Sequence, residues 1–117
     1  MPQSLSTLYV HLIFSTKHRE PLLTPSIRDP MYAYLATVMK NQECPALKIG
    51  GRSDHVHILF RLSKNLALAN VVEEVKTSSS KWLKTQDRAL RSFHWQNGYG
   101  GFSVSPAEVD SVAASGK

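Results

Sequence analysis

The stretch Asp54-His55-Val56-His57-Ile58-Leu59-Phe60 reads as a buried strand that carries two imidazoles one residue apart. Side chains alternate between the two faces of a strand, so His55 and His57 share one face and the apolar residues share the other. Two imidazoles on one face can bind a single metal ion. The alternative is a pair of half-exposed histidines on a sheet surface, and the pattern alone does not separate the two readings.

Alternating spacings on either side of this strand predict the rest of a sheet. Residues 8–14 alternate as a first strand, and Leu47-Lys48-Ile49 begins a second. Gly50-Gly51-Arg52-Ser53 then offers the turn of a hairpin that leads into the histidine strand. Phe93-His94-Trp95-Gln96 reads as a fourth strand, before a glycine-rich break and a short extended exit at 102–104.

Helical spacings and caps predict three helices. Asp29 and Pro30 supply an N-cap and a first-turn proline for a helix that ends near Asn41. A second helix, after Lys64, is indicated by an apolar stripe at helical spacing. The stripe consists of Val72, Val75, Ser79, Trp82 and Leu83. A capping box, Ser105-Pro106-Ala107-Glu108, begins a third and short helix.

The order strand, helix, strand, strand, helix, strand predicts an α+β fold of the ferredoxin-like or RRM-like type. In that fold two helices cover one face of an antiparallel sheet, and a short C-terminal helix start would be added here. We expect residues 1–117 to form one domain. If the apolar side chains of the histidine strand pack beneath the helices, His55 and His57 lie on the open face, where a ligand can reach them.

The composition favours a polyanionic partner. Fourteen Lys and Arg against nine Asp and Glu give a formal net charge of +5, which suits nucleic acid. Hydrophobic residues at 42% and charged residues at 20% are ordinary globular values and argue against a disordered chain. No apolar run approaches a bilayer span and no export signal is evident, so we expect a cytoplasmic protein. Cys44 is the only cysteine, so we expect it to fill space in the core.

Four segments of the chain carry a family resemblance. They are YVHLIFSTK at 9–17, GGRSDHVHILF at 50–60, VKTSSSKW at 75–82 and FHWQNGYGGFSVS at 93–105. Together they resemble the HUH single-tyrosine transposases of bacterial insertion sequences, which have relatives associated with repeated palindromes. The segments occur in the order of the family and cover nearly the whole chain.

The resemblance implies that His55 and His57 are two ligands of a weakly held Mg²⁺ or Mn²⁺ ion that polarises a scissile phosphate. In the family a tyrosine hydroxyl attacks this phosphate and forms a 5′-phosphotyrosine link. Family substrates are single DNA strands folded into hairpins, and family members are homodimers. Cations are needed along such a backbone, and seven are candidate DNA contacts. They are Lys17, Arg19, Arg52, Lys76, Lys81, Lys84 and Arg88.

The sequence departs from the family at the nucleophile. Alignment of residues 102–109 with the family pattern places Ser115 where the tyrosine belongs, and the family's glutamine, often a third metal ligand, would fall beyond Lys117. A serine hydroxyl is far less acidic than a phenol. We therefore assign no catalytic residue and expect a chain truncated before its catalytic tyrosine, unable to cut and join DNA. Tyr99 lies in the glycine-rich segment, where the resemblance treats it as structural.

Two other functions stay open at this point. The first is a domesticated, non-catalytic nucleic-acid-binding protein, which would show salt-dependent affinity without metal dependence. The second is a metal-dependent hydrolase whose nucleophile is water on an ion held by His55 and His57. Asp54 or Glu73 could then supply a further ligand.

Overall fold

A computed structural model describes residues 7–115, which form four strands, three helices and short 3-10 turns. The strands are β1 (Leu8–Ser15), β2 (Ala46–Gly51), β3 (His55–Leu62) and β4 (Gly100–Val104). The helices are α1 (Pro25–Asn41), α2 (Leu68–Gln86) and α3 (Val109–Ser115). All strand pairs are antiparallel, and the sheet order is β2-β3-β1-β4. This arrangement confirms the predicted ferredoxin-like fold class.

The core lies between one face of the sheet and the helices α1 and α2. The central strands contribute Val10, Leu12, Phe14, Val56, Ile58 and Phe60, which are all at most 3% exposed. Buried apolar side chains of α1 and α2 belong to the same cluster, and burial of such side chains is the main stabilising contribution to folding. The face predicted for the apolar residues of β3 is therefore confirmed, and so is the stripe predicted for α2.

Helix α1 begins earlier than the sequence pattern predicts. Pro25 occupies its first turn after Thr24, and the amides of Ile27 and Arg28 donate to the Thr24 carbonyl. Pro30 therefore lies inside the helix. Both prolines can begin a helix, because each fixes a helical φ angle. The prediction of a start at Asp29 and Pro30 is wrong. Because Pro30 has no amide hydrogen, α1 lacks one intrahelical hydrogen bond at this position.

The fourth strand is also in a different place from the predicted one. Strand β4, at Gly100–Val104, pairs with β1, whereas residues 93–96 contribute one isolated bridge, between Trp95 and Thr16. Phe93 and Trp95 are 1% and 8% exposed. Their ring centres are 4.8 Å apart in an edge-to-face arrangement. Their alternation reflects anchoring in the core, since β4 occupies the edge of β1. The prediction of a strand at 93–96 is wrong for this reason.

The third helix follows the cap that the sequence predicts. The carboxylate of Glu108 accepts hydrogen bonds from the Ser105 amide at 3.3 Å and from the Ser105 hydroxyl at 3.0 Å. A 3-10 turn at Pro106–Glu108 leads into α3. Across residues 7–115, no helix combines the length and the apolar character needed to cross a bilayer.

Candidate metal and DNA site

The two histidines of β3 lie on the sheet face away from α1 and α2, but they are not equally accessible. In the register of the sheet, His55 is opposite Ser15, and His57 is opposite Ile13. The ring centres are 6.4 Å apart. His57 is 5% exposed, whereas the His55 side chain retains 26% of its accessible surface. His57 is therefore much less accessible from the open face than the alternation alone predicts, because the neighbouring strands cover most of its ring.

Two glycines of β2 allow the hairpin to approach these histidines closely. A Cβ atom at Gly50 would lie 2.9 Å from Cε1 of His57, and one at Gly51 would lie 2.3 Å from the carbonyl oxygen of His55. Both glycines belong to the strand, and the turn itself follows at Arg52, whose amide donates to the His55 carbonyl. The prediction of Gly50 and Gly51 as turn residues is therefore wrong. Their role is to leave room for β3 and its imidazole.

Asp54 links His55 to a cation. One carboxylate oxygen lies 2.9 Å from Nδ1 of His55, and the other accepts a bond from Nε of Arg19 at 3.0 Å. The hydrogen bonds from His55 and then from Arg19 hold the pKa of Asp54 below its usual value. An ionised carboxylate can only accept, so Nδ1 of His55 is the nitrogen that carries a proton in this bond, and Nε2 is the nitrogen left for a metal ion. A carboxylate in this position is the usual partner of an imidazole that binds metal.

A third imidazole, absent from the predicted site residues, lies beside the pair. The ring of His11 meets the ring of His57 edge-on, with centres 5.6 Å apart and planes at 85°. Burial lowers the pKa of His11, which favours the neutral form of the ring. Alternation along β1 already places His11 opposite the core-facing residues. Combined with a ferredoxin-like strand order, that alternation would have placed it on the same face as His57.

The residues present fit a weakly held ion better than a structural one. Two imidazoles that share one ion through nitrogens at about 2.1 Å hold their ring centres roughly 5 Å apart, so these ring centres, at 6.4 Å, need to approach by about 1.4 Å. Within the described residues, no three His, Cys, Asp or Glu side chains form a cluster that could hold a metal. Two protein ligands leave the remaining positions to water or phosphate oxygens.

A cleft of about 350 Å³ opens beside His55. His55 and Arg19 line one part of it, and the loop that precedes β4 lines another. The loop contributes Gln96, Asn97, Gly98 and Tyr99, and Gly100 at the start of β4 completes this side. Tyr99 is 42% exposed. The composition of this segment predicts a glycine-rich break, but nothing in it indicates that the loop faces His55.

Several hydrogen bonds fix the loop against the rest of the molecule. The amide of Gln96 donates to the Ser15 carbonyl at 2.8 Å. The first residue of the loop therefore lies next to the last residue of β1. Lys76 of α2 donates from Nζ to the carbonyl oxygens of Gln96 and Gly98. Just before the loop, the indole of Trp95 donates to the buried hydroxyl of Ser79 at 3.0 Å.

A strained turn carries two of the predicted DNA contacts to the rim of the cleft. Lys17, His18 and Arg19 form a 3-10 turn in which φ is 58° at His18 and 56° at Arg19. Left-handed backbone costs a non-glycine residue roughly 1–2 kcal/mol. Here contacts from both sides retain it, because the His18 amide donates to the Gln96 side chain and Arg19 pairs with Asp54. Strain that persists in this way is typical of functional segments.

The remaining predicted cations lie in three places. Arg52 is exposed in the β2–β3 turn, and Lys76 is half-buried between α2 and the loop. Lys81 is exposed on α2, and Nζ of Lys84 donates to the Ser80 hydroxyl at 3.2 Å. Arg88 lies just after α2, in a 3-10 turn. Contact of these residues with DNA stays a prediction.

The last helix carries no tyrosine. Its sequence, VDSVAAS, ends at Ser115, the position where the family resemblance places the nucleophile. The tyrosines of the chain are at positions 9, 32, 34 and 99. Tyr99 is the tyrosine that lines the cleft beside His55.

Comparison with known proteins gives one family and two related structures. The family model for IS200-like transposases matches residues 4–114. The chain is similar to a candidate transposase of Deinococcus radiodurans R1, with 18% sequence identity and a TM-score of 0.77 over 96% of this chain and 92% of that one. It is also similar to a REP-associated tyrosine transposase bound to a REP hairpin, with 10% identity and a TM-score of 0.67. That match covers 91% of this chain and 62% of the longer neighbour. No curated protein matches the chain.

Proposed function

Because the chain belongs to the IS200-like transposase family, we propose that it binds single-stranded DNA folded into a hairpin and receives the adjoining unpaired strand in the cleft beside His55. The observation that carries this proposal is the composition of the cleft. One space of about 350 Å³ brings together an imidazole, the cationic Arg19 and the exposed ring of Tyr99. These groups suit a phosphate and an unpaired base.

The orientation of Arg19 supports a phosphate contact. Its Nε is bound to Asp54 at 3.0 Å, which leaves the two terminal nitrogens of the guanidinium as donors. Such a fork matches the oxygens of a phosphate. Tyr99 offers a ring face on which a base can stack, a contact worth about 1–3 kcal/mol per base. The structural neighbour bound to a REP hairpin favours a hairpin as the folded part of the substrate.

We further propose that His55 and His57 bind Mg²⁺ or Mn²⁺ weakly. When bound, the ion supplies Lewis-acid polarisation of a phosphate. The protein contributes orientation, because Asp54 fixes the ring of His55 through Nδ1. Arg19, bound to the same carboxylate, then places its positive charge next to the same phosphate. A metal-dependent hydrolase gains little support, since Asp54 uses both oxygens in these bonds and Glu73 is exposed on α2.

We propose that this chain of 117 residues binds the hairpin without forming a covalent link to it. The sequence of α3 has no tyrosine, and a serine hydroxyl is far less acidic than a phenol. The expected result is DNA binding with no protein–DNA adduct that survives denaturing gel electrophoresis. An adduct would contradict this proposal, and its loss in Tyr99→Phe would identify the cleft tyrosine as the nucleophile.

A homodimer is proposed through the edge of the sheet. Strand β4 lies at the end of the described strand order, and its Phe102 is 58% exposed. An edge strand with an exposed aromatic side chain is a ready site for pairing with a second copy. Light scattering should give the mass of a dimer, and Phe102→Glu should give that of a monomer.

The proposed function is tested with a fluorescent DNA hairpin that has a single-stranded flank. Anisotropy should show binding that weakens steeply with salt and exceeds binding to a linear duplex of the same length. Equal affinity for the two DNAs would contradict hairpin recognition. Mn²⁺ titration calorimetry on the parent chain and on His55→Ala tests the metal site. Hairpin binding without heat from Mn²⁺ would instead favour a domesticated, non-catalytic binding protein.

A further inference from the structure

The ammonium group of Lys76 connects α2 to the loop that lines the cleft. Its Nζ donates to the carbonyl oxygens of Gln96 at 2.7 Å and Gly98 at 2.6 Å. The same atom lies 5.7 Å from the centre of the Phe14 ring, within range of a cation–π contact. Burial lowers the pKa of Lys76. Two hydrogen bonds and a ring contact therefore fix this ammonium, although it lies near the surface.

The loop depends on such external support because it has little regular structure of its own. Residues 96–99 belong to no helix or strand, and φ at Gly98 is +86°. Gln96 is already fixed at the start of the loop, by its amide bond to Ser15. The hydrogen bond from Lys76 to the Gly98 carbonyl fixes the middle of the loop. It therefore restrains the residue next to Tyr99, which lines the cleft.

We infer that Lys76 is a positioning residue, which holds the loop at residues 96–99 in the place where the cleft can accept an unpaired nucleotide. The inference rests on the proposed function and deepens it. A loop that is fixed before DNA arrives does not have to be ordered on binding. The entropic cost of association is therefore smaller, and the affinity is higher. An ammonium has three N–H donors, and two of them are committed to the loop. This role is distinct from a phosphate contact, which would act through charge alone.

The two roles differ in which DNA they affect. If a lysine contributes only charge, its removal weakens the binding of every DNA probe. The slope of log affinity against log salt then becomes shallower by about 1. A lysine that positions the loop affects the strand in the cleft. The test therefore compares a hairpin with a single-stranded flank and the same hairpin without the flank, both measured by anisotropy.

Lys76→Met removes the ammonium and keeps the stem. We expect it to weaken binding of the flanked hairpin roughly tenfold and to change binding of the bare hairpin no more than the control Lys81→Met does. Lys81 is exposed on the same helix, so the control removes the same charge from α2. Lys76→Arg, which keeps charged donors, should restore most of the lost affinity.

Gly98→Ala disturbs the loop without changing charge. A side chain at φ +86° is strained, although the Cβ atom itself would meet nothing within 4 Å. We expect the same selective loss for the flanked hairpin, with an unchanged salt dependence. Hydrogen exchange in the free protein provides a second measurement. Amides of residues 96–100 should exchange faster in Lys76→Met and at the parent rate in Lys81→Met.

The possible outcomes separate the inference from the proposed function. If Lys76→Met and Lys81→Met weaken both probes equally and leave loop exchange unchanged, Lys76 acts only as a charge and the inference is wrong. If the parent chain binds neither probe, the proposed function is wrong. In that case loop exchange in Lys76→Met still decides whether the lysine positions the loop.

Discussion

At position 50, the absence of a side chain decides where the imidazole of His57 can lie. A Cβ on Gly50 would come within 2.9 Å of Cε1 and 3.0 Å of Nε2 of that ring, which is closer than nonbonded atoms tolerate. The obstacle is the far end of a side chain, so a methyl group can be accommodated if the ring moves. We therefore expect Gly50→Ala to fold but to displace His57.

The measurement for Gly50→Ala is Mn²⁺ affinity by calorimetry. Displacement of one of two proposed ligands should weaken binding at least tenfold, in line with the effect of disturbing groups that orient metal ligands. Gly100→Ala is the matched control, since its Cβ would meet Phe102 at an ordinary 3.5 Å. Equal Mn²⁺ affinity in the two variants would show that His57 does not bind the ion.

Single residues of the site were predictable when their role follows from local spacing. The shared face of His55 and His57 follows from strand periodicity. The partner of Asp54 does not, because Arg19 is 35 positions away in sequence and reaches the carboxylate through a left-handed turn that sequence does not announce. The double contact of Lys76 is similar, since Gln96 and Gly98 lie 20 and 22 positions away.

Among the elements, α2 and the segment before the cleft loop are joined by a buried polar contact. The Ser79 hydroxyl, fully buried, donates to the Val75 carbonyl at 2.6 Å and accepts from the Trp95 indole at 3.0 Å. Ser79→Ala would leave the indole N–H unpaired in the core. We expect a loss of about 1–3 kcal/mol in the free energy of unfolding, measured by urea denaturation.

Ser78→Ala is the control for this element. Its hydroxyl donates to Glu74 at 2.6 Å on the exposed side of the same helix, where such bonds contribute little, and we expect a change within about 0.5 kcal/mol. Similar losses in both variants would mean that helix propensity, and not the indole bond, accounts for the effect of Ser79.

The elements themselves were predicted well where burial and periodicity coincide, and poorly where they do not. Strand β3 shows apolar alternation and is a strand. Residues 93–96 show the same alternation, yet Phe93 and Trp95 are buried as anchors while Gly100–Val104 pairs with β1. Alternation in sequence indicates which side chains are buried. Pairing into a sheet depends in addition on whether a neighbouring strand has a free edge.

Across the whole molecule, the two main grooves differ in the charge of the residues that line them. Lys17 and Arg19 lie at the end where β1 finishes and β3 begins, beside the cleft. The other groove, of about 650 Å³ between α1 and α2, is lined by Glu43, Glu74 and several amides, with no lysine or arginine in its lining. The strand order could be predicted, but this separation of charge depends on where the turns place their side chains.

The double variant Lys17→Ala and Arg19→Ala tests this polarity. If both cations contact phosphates, the slope of log affinity against log salt should become shallower by about 1.4, at roughly 0.7 per contact with a single strand. Lys40→Ala with Lys64→Ala is the control, because these exposed lysines lie at the end of α1 and after β3. Equal changes of slope would indicate that only net charge matters.

The burial of Cys44 makes the molecule convenient for labelling. The only thiol of the chain is fully enclosed, and its sulfur accepts a bond from the Ser63 amide at 3.3 Å, so reagents should modify it slowly. A cysteine introduced by Asn97→Cys, on the exposed rim of the cleft, would then react selectively. A fluorophore attached there could follow the arrival and departure of DNA in real time without removal of the native thiol.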